Sequence, residues 1–166
     1  MLKLFVYGTL KRGYRNHDQF CGGALEIREA QVCGRLYDGP GFPVLEVPGE
    51  DVLACGTADP IADVGTQTRL SGGVGKSPRP VPGGAETGDW GTVHGELLTF
   101  GDPESRLPAI DRLEGFRPDG RSLYRRVLVV ASVCGCLEPA WVYILASTDI
   151  KQRRILSGRW PVDSTG

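Results

Sequence analysis

Leu4, Phe5, Val6 and Tyr7 form an apolar and aromatic run that passes without a break into Gly8, Thr9, Leu10, Lys11, Arg12 and Gly13. Such a run suits a buried strand, and Gly8 removes the Cβ where the chain must turn or let a ligand approach its backbone. Thr9 adds a hydroxyl, and Lys11 and Arg12 add positive charge. Asn16 stands where it would cap a short helix starting near His17. Strand, loop and helix start together commonly present free backbone N–H groups to an anion. A strand ending in Gly-Thr is equally ordinary turn chemistry, so this stretch by itself leaves both readings open.

Residues 102–116 read Asp-Pro-Glu-Ser-Arg-Leu-Pro-Ala-Ile-Asp-Arg-Leu-Glu-Gly-Phe. Asp102 before Pro103 signals a helix start, and Gly115 a helix stop. Pro108 interrupts the middle, so the spacing predicts a first turn up to Leu107 and a main helix over residues 108–114. Leu107, Ile110 and Leu113 fall on one apolar stripe. Glu114 is four residues after Ile110 and seven after Leu107, so it projects from that same face. Burial disfavours an ionised carboxylate, raising its pKa from about 4.3 toward the neutral range where a general base works best. The other reading has Glu114, last in the helix, turning out to solvent or pairing with Arg117 or Arg125.

The two stretches occur in one order with Tyr124-Arg125-Arg126 opening an apolar run after them. Together they resemble the gamma-glutamylcyclotransferase-like family. The Lys-Arg-Gly-x-x-Asn-His continuation is most similar to its gamma-glutamylamine cyclotransferase and plant AIG2-like branch. The likeness covers residues 2–47 and about 92–160. It implies a substrate-binding loop at Tyr7, Gly8, Thr9 and Leu10, whose N–H groups would hold the α-carboxylate of a γ-glutamyl group. It implies Glu114 as the catalytic acid/base and Tyr124 as a residue lining the pocket. The implied reaction is attack of the α-amine on its own γ-carbonyl, closing a five-membered ring and releasing 5-oxoproline and a free amine, with no cofactor and no metal. The same residues would serve to remove a γ-glutamyl protecting group in a biosynthetic pathway, or the pocket would belong to a non-catalytic module that binds a small molecule or a protein.

The 166 residues suit a single domain over 1–166. A net charge of −1 argues against nucleic acid or an anionic membrane surface as main partner. The partner expected is a small-molecule γ-glutamyl substrate, with no nucleic acid and no membrane. The N-terminus has no signal-peptide pattern, no apolar run reaches membrane-span length, and Cys21, Cys33, Cys55, Cys134 and Cys136 are odd in number. These features indicate reduced thiols in a cytoplasmic protein. Cys134-Gly135-Cys136 reads as a turn between strands.

Residues 24–38 are extended and partly alternating, as one long bent strand or two short ones. Phe42-Pro43-Val44-Leu45 resumes the pattern; it resembles the family's aromatic-proline segment beside the pocket, and reads equally as an edge strand tolerating Pro43. Residues 48–91 differ in kind, with ten glycines and five prolines among 44 residues, a composition expected of a long insertion outside the core. A surface insertion and a lid returning at Trp90 both fit it. Gly75-Lys76-Ser77 imitates the end of a phosphate-binding loop, but Leu70 occupies the position of its first glycine. His94 is expected at a strand edge and His17 facing water. Residues 93–100, 123–133 and 140–145 read as strands, and Tyr143 is a candidate to face the same interior as Glu114. Ser157-Gly158-Arg159-Trp160 resembles a family segment that folds back over the barrel. Several strands with two short helices and no strand-helix rhythm indicate α+β. The resemblance makes the fold a small mixed β-barrel with a pocket where Gly8 and Glu114 converge.

Overall fold

The computed structural model describes residues 1–74, 89–146 and 151–162. In chain order the elements are β1 (Leu2–Val6), α1 (His17–Phe20), β2 (Glu26–Asp38), β3 (Pro43–Glu46), β4 (Ala54–Cys55) and α2 (Pro60–Val74). β5 (Gly91–Phe100), α3 (Pro103–Glu114), β6 (Tyr124–Val133), β7 (Cys136–Leu145) and β8 (Arg153–Arg154) follow. The fold is α+β, and five strands close a mixed barrel in the order β2, β5, β1, β7, β6 and back to β2. β5 runs antiparallel to both β2 and β1, with Ile27 and Leu4 each opposite Leu98. β1 is parallel to β7, bringing Leu4 beside Trp141, and β6 closes on β2 at Gln31 and Ser132. The long β2 is one strand, and β3 extends it at the edge, where Pro43 opposite Asp38 is tolerated.

Alternation along the strands divides the apolar residues into two cores. Phe5, Val32, Leu97, Val127, Val129, Val142 and Ile144 fill the barrel. Their neighbours Leu4, Leu98, Leu128 and Trp141 face outward and are covered by Leu107 and Ile110 of α3 with Leu10 and Cys21. One strand therefore serves both cores, and the helices lie over the outer one. The turn at Cys134 and Gly135, both at positive φ, joins β6 to β7 as a two-residue hairpin.

Three sequence expectations change. The segment 48–91 is not wholly an excursion, because it supplies β4, paired to β6, and the 15-residue helix α2. α2 escapes periodicity because the residues it buries are polar, Asp63 and Gln67. Asp63 accepts from Thr57 N and Oγ1 and from Arg126, while Gln67 accepts from Lys3 N (2.9 Å) and donates to the Met1 carbonyl (3.1 Å). Gln67 thus serves backbone groups at the start of β1. The phosphate-loop imitation at Gly75-Lys76-Ser77 lies outside the described residues. Second, α3 runs unbroken through Pro108. Third, His17 does not face water: it is 8% exposed, and its Nδ1–H donates to the Leu10 carbonyl at 2.8 Å.

Candidate active site

α3 is built to end at Glu114. Gly115 takes the left-handed conformation (φ 66°) that a helix C-terminus favours, and Phe116 N–H returns to the Asp111 carbonyl at 2.9 Å. The buried face of α3 carries Leu107 and Ile110, both fully buried, with Asp111 and Glu114 continuing it at helical spacing. Leu113 leaves the predicted stripe. It is 37% exposed and stands at the rim of a cavity.

That cavity, about 190 Å3, is open to solvent and lined by Tyr7, Gly8, Thr9, Leu10, Glu114 and Tyr124 among others. All six residues expected at the site therefore meet at one pocket. It is smaller than the roughly 300–1,000 Å3 typical of drug-sized ligands, and suits a group the size of an amino acid. Glu114 is half-buried and is the single carboxylate among the described lining residues. Burial raises its pKa from 4.5 to about 7, and no cation among the described residues pulls it back. The negative end of the α3 dipole also disfavours charge there. Neither Arg117 nor Arg125 neutralises it: burial is the sole cause of its shift, and the Arg125 guanidinium reaches Cys55 Sγ.

Opposite α3, the loop after β1 is held by its own backbone. Lys11 N–H donates to the Gly8 carbonyl (3.0 Å) and Asn16 N–H to the Thr9 carbonyl (3.1 Å). Among the described residues none of these bonds uses the amides of Gly8, Thr9 or Leu10. Gly8 is glycine for a steric reason, since a Cβ there would lie 2.9 Å from the Pro43 ring. Phe42-Pro43 is thus both an edge-strand start and a wall of the pocket.

Asn16 was expected as a helix cap, but its side chain makes no cap bond and instead donates to Thr9 Oγ1 at 2.9 Å. The threonine oxygen accepts, leaving its own hydrogen to donate elsewhere. Asn16 is a lining residue that sequence reasoning assigned to a different task.

The aromatic walls are tied to a buried ionic cluster behind them. Tyr7 donates its hydroxyl to the Tyr143 carbonyl (2.7 Å), and Tyr143 donates its own to Asp111 (2.6 Å). Both oxygens of Asp111 also accept from Arg126 Nη1 at 2.7 Å. Arg126, with a side chain 0% exposed, also reaches Asp63 and the Thr57 carbonyl (2.8 Å). Gly56 makes room for this guanidinium, for a Cβ would stand 2.6 Å from Arg126 Nε. Burial pushes Asp111 upward while Tyr143 and Arg126 pull against it. Burial, then the charges of Tyr124 and Glu114, raises Tyr7; burial, then Glu114, raises Tyr124. Both tyrosines are thereby neutral hydroxyls at physiological pH. Tyr143 faces outward from the barrel, into the same pocket as Glu114.

The C-terminal segment covers the loop from outside. Lys11 Nζ bonds the Trp160 carbonyl, and the Tyr14 and Trp160 rings lie 5.4 Å apart. His94 is interior to β5, paired with Gln31, and its N–H donates to the Gly158 carbonyl at 2.9 Å. Among the described residues no three side chains converge in a metal-ligating cluster, and no helix is long and apolar enough to cross a membrane.

Comparison with known proteins gives this geometry a family. The chain is 27% identical over 157 residues to gamma-L-glutamyl-butirosin B gamma-glutamyl cyclotransferase of Niallia circulans, covering 93% of this chain and 73% of that protein. Among solved structures, YkqA of Bacillus subtilis superimposes with a TM-score of 0.53 at 19% identity over 96% of this chain, which spans 39% of YkqA. An uncharacterized protein of Pyrococcus horikoshii gives 0.52 at 18% identity, covering 96% of this chain and 89% of its own. At those identities the two structures support the barrel fold. The family model described as "Gamma-glutamyl cyclotransferase, AIG2-like" matches residues 4–58 and 66–162. The chain belongs to the gamma-glutamyl cyclotransferase, AIG2-like family.

Proposed function

We propose that this protein is a γ-glutamyl cyclotransferase that converts a γ-glutamyl amine or peptide into 5-oxoproline and a free amine, with Glu114 as acid/base. The observation carrying this reading is a carboxylate with a pKa of about 7 and no ion pair among the described residues, lining one pocket sized for a glutamyl group with a loop whose amides the described backbone bonds leave unused.

The amides of Gly8, Thr9 and Leu10 would hold the α-carboxylate, folding the glutamyl chain so that its α-nitrogen lies against its own γ-carbonyl. Holding that conformer supplies the orientation an intramolecular attack needs. Glu114, ionised, takes a proton from the α-ammonium, and the amine attacks the γ-carbonyl carbon to form the ring C–N bond. As the ring nitrogen sheds its second proton and becomes an amide, Glu114 returns protons to the departing nitrogen. The original amide C–N bond then breaks, and the carboxylate is restored. Loop amides or the Thr9 hydroxyl would steady the oxyanion of the tetrahedral intermediate. The nucleophile belongs to the substrate, so this chemistry requires neither metal nor cofactor. The Niallia relative, named for a γ-glutamyl derivative of butirosin B, favours a second reading in which the same step removes a γ-glutamyl protecting group.

The test is release of 5-oxoproline from γ-glutamyl-ε-lysine, γ-glutamyl dipeptides and glutathione, with Glu114→Gln in parallel. Turnover lost in a folded variant supports the reading. Turnover surviving in it would show that another group moves the proton, and a wild type that binds these compounds without converting them would favour a binding module.

A further inference from the structure

The lining of the pocket divides by exposure. Tyr7, Tyr124 and Tyr143 are 8%, 5% and 4% exposed, whereas Leu113 and Leu123 are 37% and 64% exposed. Phe42 is half-buried, and Arg15 is exposed. The buried part surrounds Glu114. The exposed part is a rim, which a departing amine must contact once the glutamyl half occupies the interior. Two large leucines held in water beside one cavity make an apolar surface without use in the fold.

Arg15 is the charged member of that rim. Its backbone is held in place, because the next residue, Asn16, is fixed to Thr9 by both its N–H and its side chain. The preceding residue, Tyr14, is fixed by its N–H to Lys11 and by ring contact with Trp160. The guanidinium lies over Gly41, with Nη1 4.0 Å from where a Cβ would stand. Several other arginines meet acids, as Arg12 does Glu96, Arg28 does Glu138 and Arg106 does Asp102. Among the described residues no carboxylate pairs with Arg15. Nor do the described rim residues offer an acid, since the one carboxylate among the described lining residues is Glu114 in the interior.

We propose that Arg15 binds a carboxylate on the leaving amine, and that the preferred substrates are γ-glutamyl amino acids with an apolar side chain and a free C-terminal carboxylate. This rests on the cyclotransferase reading above. A guanidinium recognises a carboxylate through paired N–H donors, and Phe42, Leu113 and Leu123 receive the apolar side chain. A polyamine or aminoglycoside leaving group would bring ammonium groups to a rim that holds a cation and no acid, so it is rejected by charge. The α-carboxylate of the glutamyl half is left to the amides of Gly8, Thr9 and Leu10.

The assignment is tested by kcat/KM for 5-oxoproline release from γ-glutamyl-leucine, γ-glutamyl-leucine amide and γ-glutamyl-putrescine, with wild type and Arg15→Gln. Wild type is expected to prefer the free acid over its amide by about 10- to 100-fold, the range of one charge-assisted contact. Arg15→Gln should erase that preference by slowing the acid alone. Equal slowing of acid and amide would show that Arg15 holds the glutamyl half, and a wild type that prefers the putrescine compound would overturn the rim assignment. The same ligands are titrated calorimetrically into Glu114→Gln with and without Arg15→Gln. If no compound yields 5-oxoproline, the cyclotransferase reading fails. Binding then decides the Arg15 assignment separately: an acid held more tightly than its amide, dependent on Arg15, supports it, and equal affinities reject it.

Discussion

Asp111 and Glu114 sit less than one turn apart on the same helix, both turned toward protein, and they solve the problem of a buried carboxylate in opposite ways. Asp111 is bonded twice by Arg126 and once by Tyr143. Among the described residues Glu114 has nothing comparable, and burial lifts its pKa to about 7. A buried charge without a partner is costly and tends to neutralise, so at this pocket wall the carboxyl exchanges its proton in the neutral range. Its paired neighbour anchors α3 to β6 and, through Tyr143 and Tyr7, steadies the pocket wall. One carboxylate holds the structure and the other is available for chemistry.

The sharpest break of that contrast is kinetic. Glu114→Gln keeps the side chain's shape and removes the base, and is expected to lower kcat for 5-oxoproline release by about 10²- to 10⁴-fold. Asp111→Asn measured beside it should show its main loss in unfolding free energy. Variants with interchanged profiles would dissolve the distinction.

Next in size is the ionic cluster. Arg126→Met strands Asp111 and Asp63 in the interior and should cost about 3–5 kcal/mol in urea unfolding. A loss under about 1 kcal/mol would mean that the cluster contributes little to the fold.

Glu114 should act in the reverse sense. Its native pKa lies above the unfolded value, so the native state binds more protons between pH 4.5 and about 7. Stability associated with this group is present below 4.5 and is lost as pH rises through about 7. The full linkage is about 3 kcal/mol, and water in the open pocket reduces it to roughly 2 kcal/mol. Glu114→Gln should therefore match wild type near pH 4 and exceed its stability by about that amount at pH 8.5, in paired denaturation curves. The same protonation predicts that wild-type kcat/KM rises through about pH 7. A flat profile from pH 5 to 8 would remove Glu114 from the role of base. The smallest effect expected is Asn16→Ala, which frees Thr9 Oγ1 and should raise KM several-fold, about 1 kcal/mol, with kcat less affected.

Particular residues show how far local reasoning reached. The strand before Gly8, the helix stop at Gly115 and the Cys134-Gly135 turn were legible because each depends on the conformational range of a few neighbouring residues. Glu114 was legible because helical spacing put it on the face of Leu107 and Ile110. Asp111 lay on that face too and went unremarked, because its partner Arg126 is fifteen residues away across a loop. α2 left no apolar stripe, since it docks through Asp63 and Gln67. Leu113 was assigned to the core one step too far around the helix.

By itself, the sequence determined the strands of the barrel but not the short β4 and β8, the ends of the catalytic-candidate helix and, through two short motifs, the family. Backbone preference and side-chain period act over a few residues and survive in any context. Only the tertiary structure decided that five strands close, with β6 meeting β2 through Gln31 and Ser132. It also decided that Asn16 serves Thr9, and that of two carboxylates three residues apart one is neutralised by a distant arginine and the other left alone. Those outcomes depend on which groups meet once the barrel closes and water is excluded, because the energy of a buried charge is set by its partners in space.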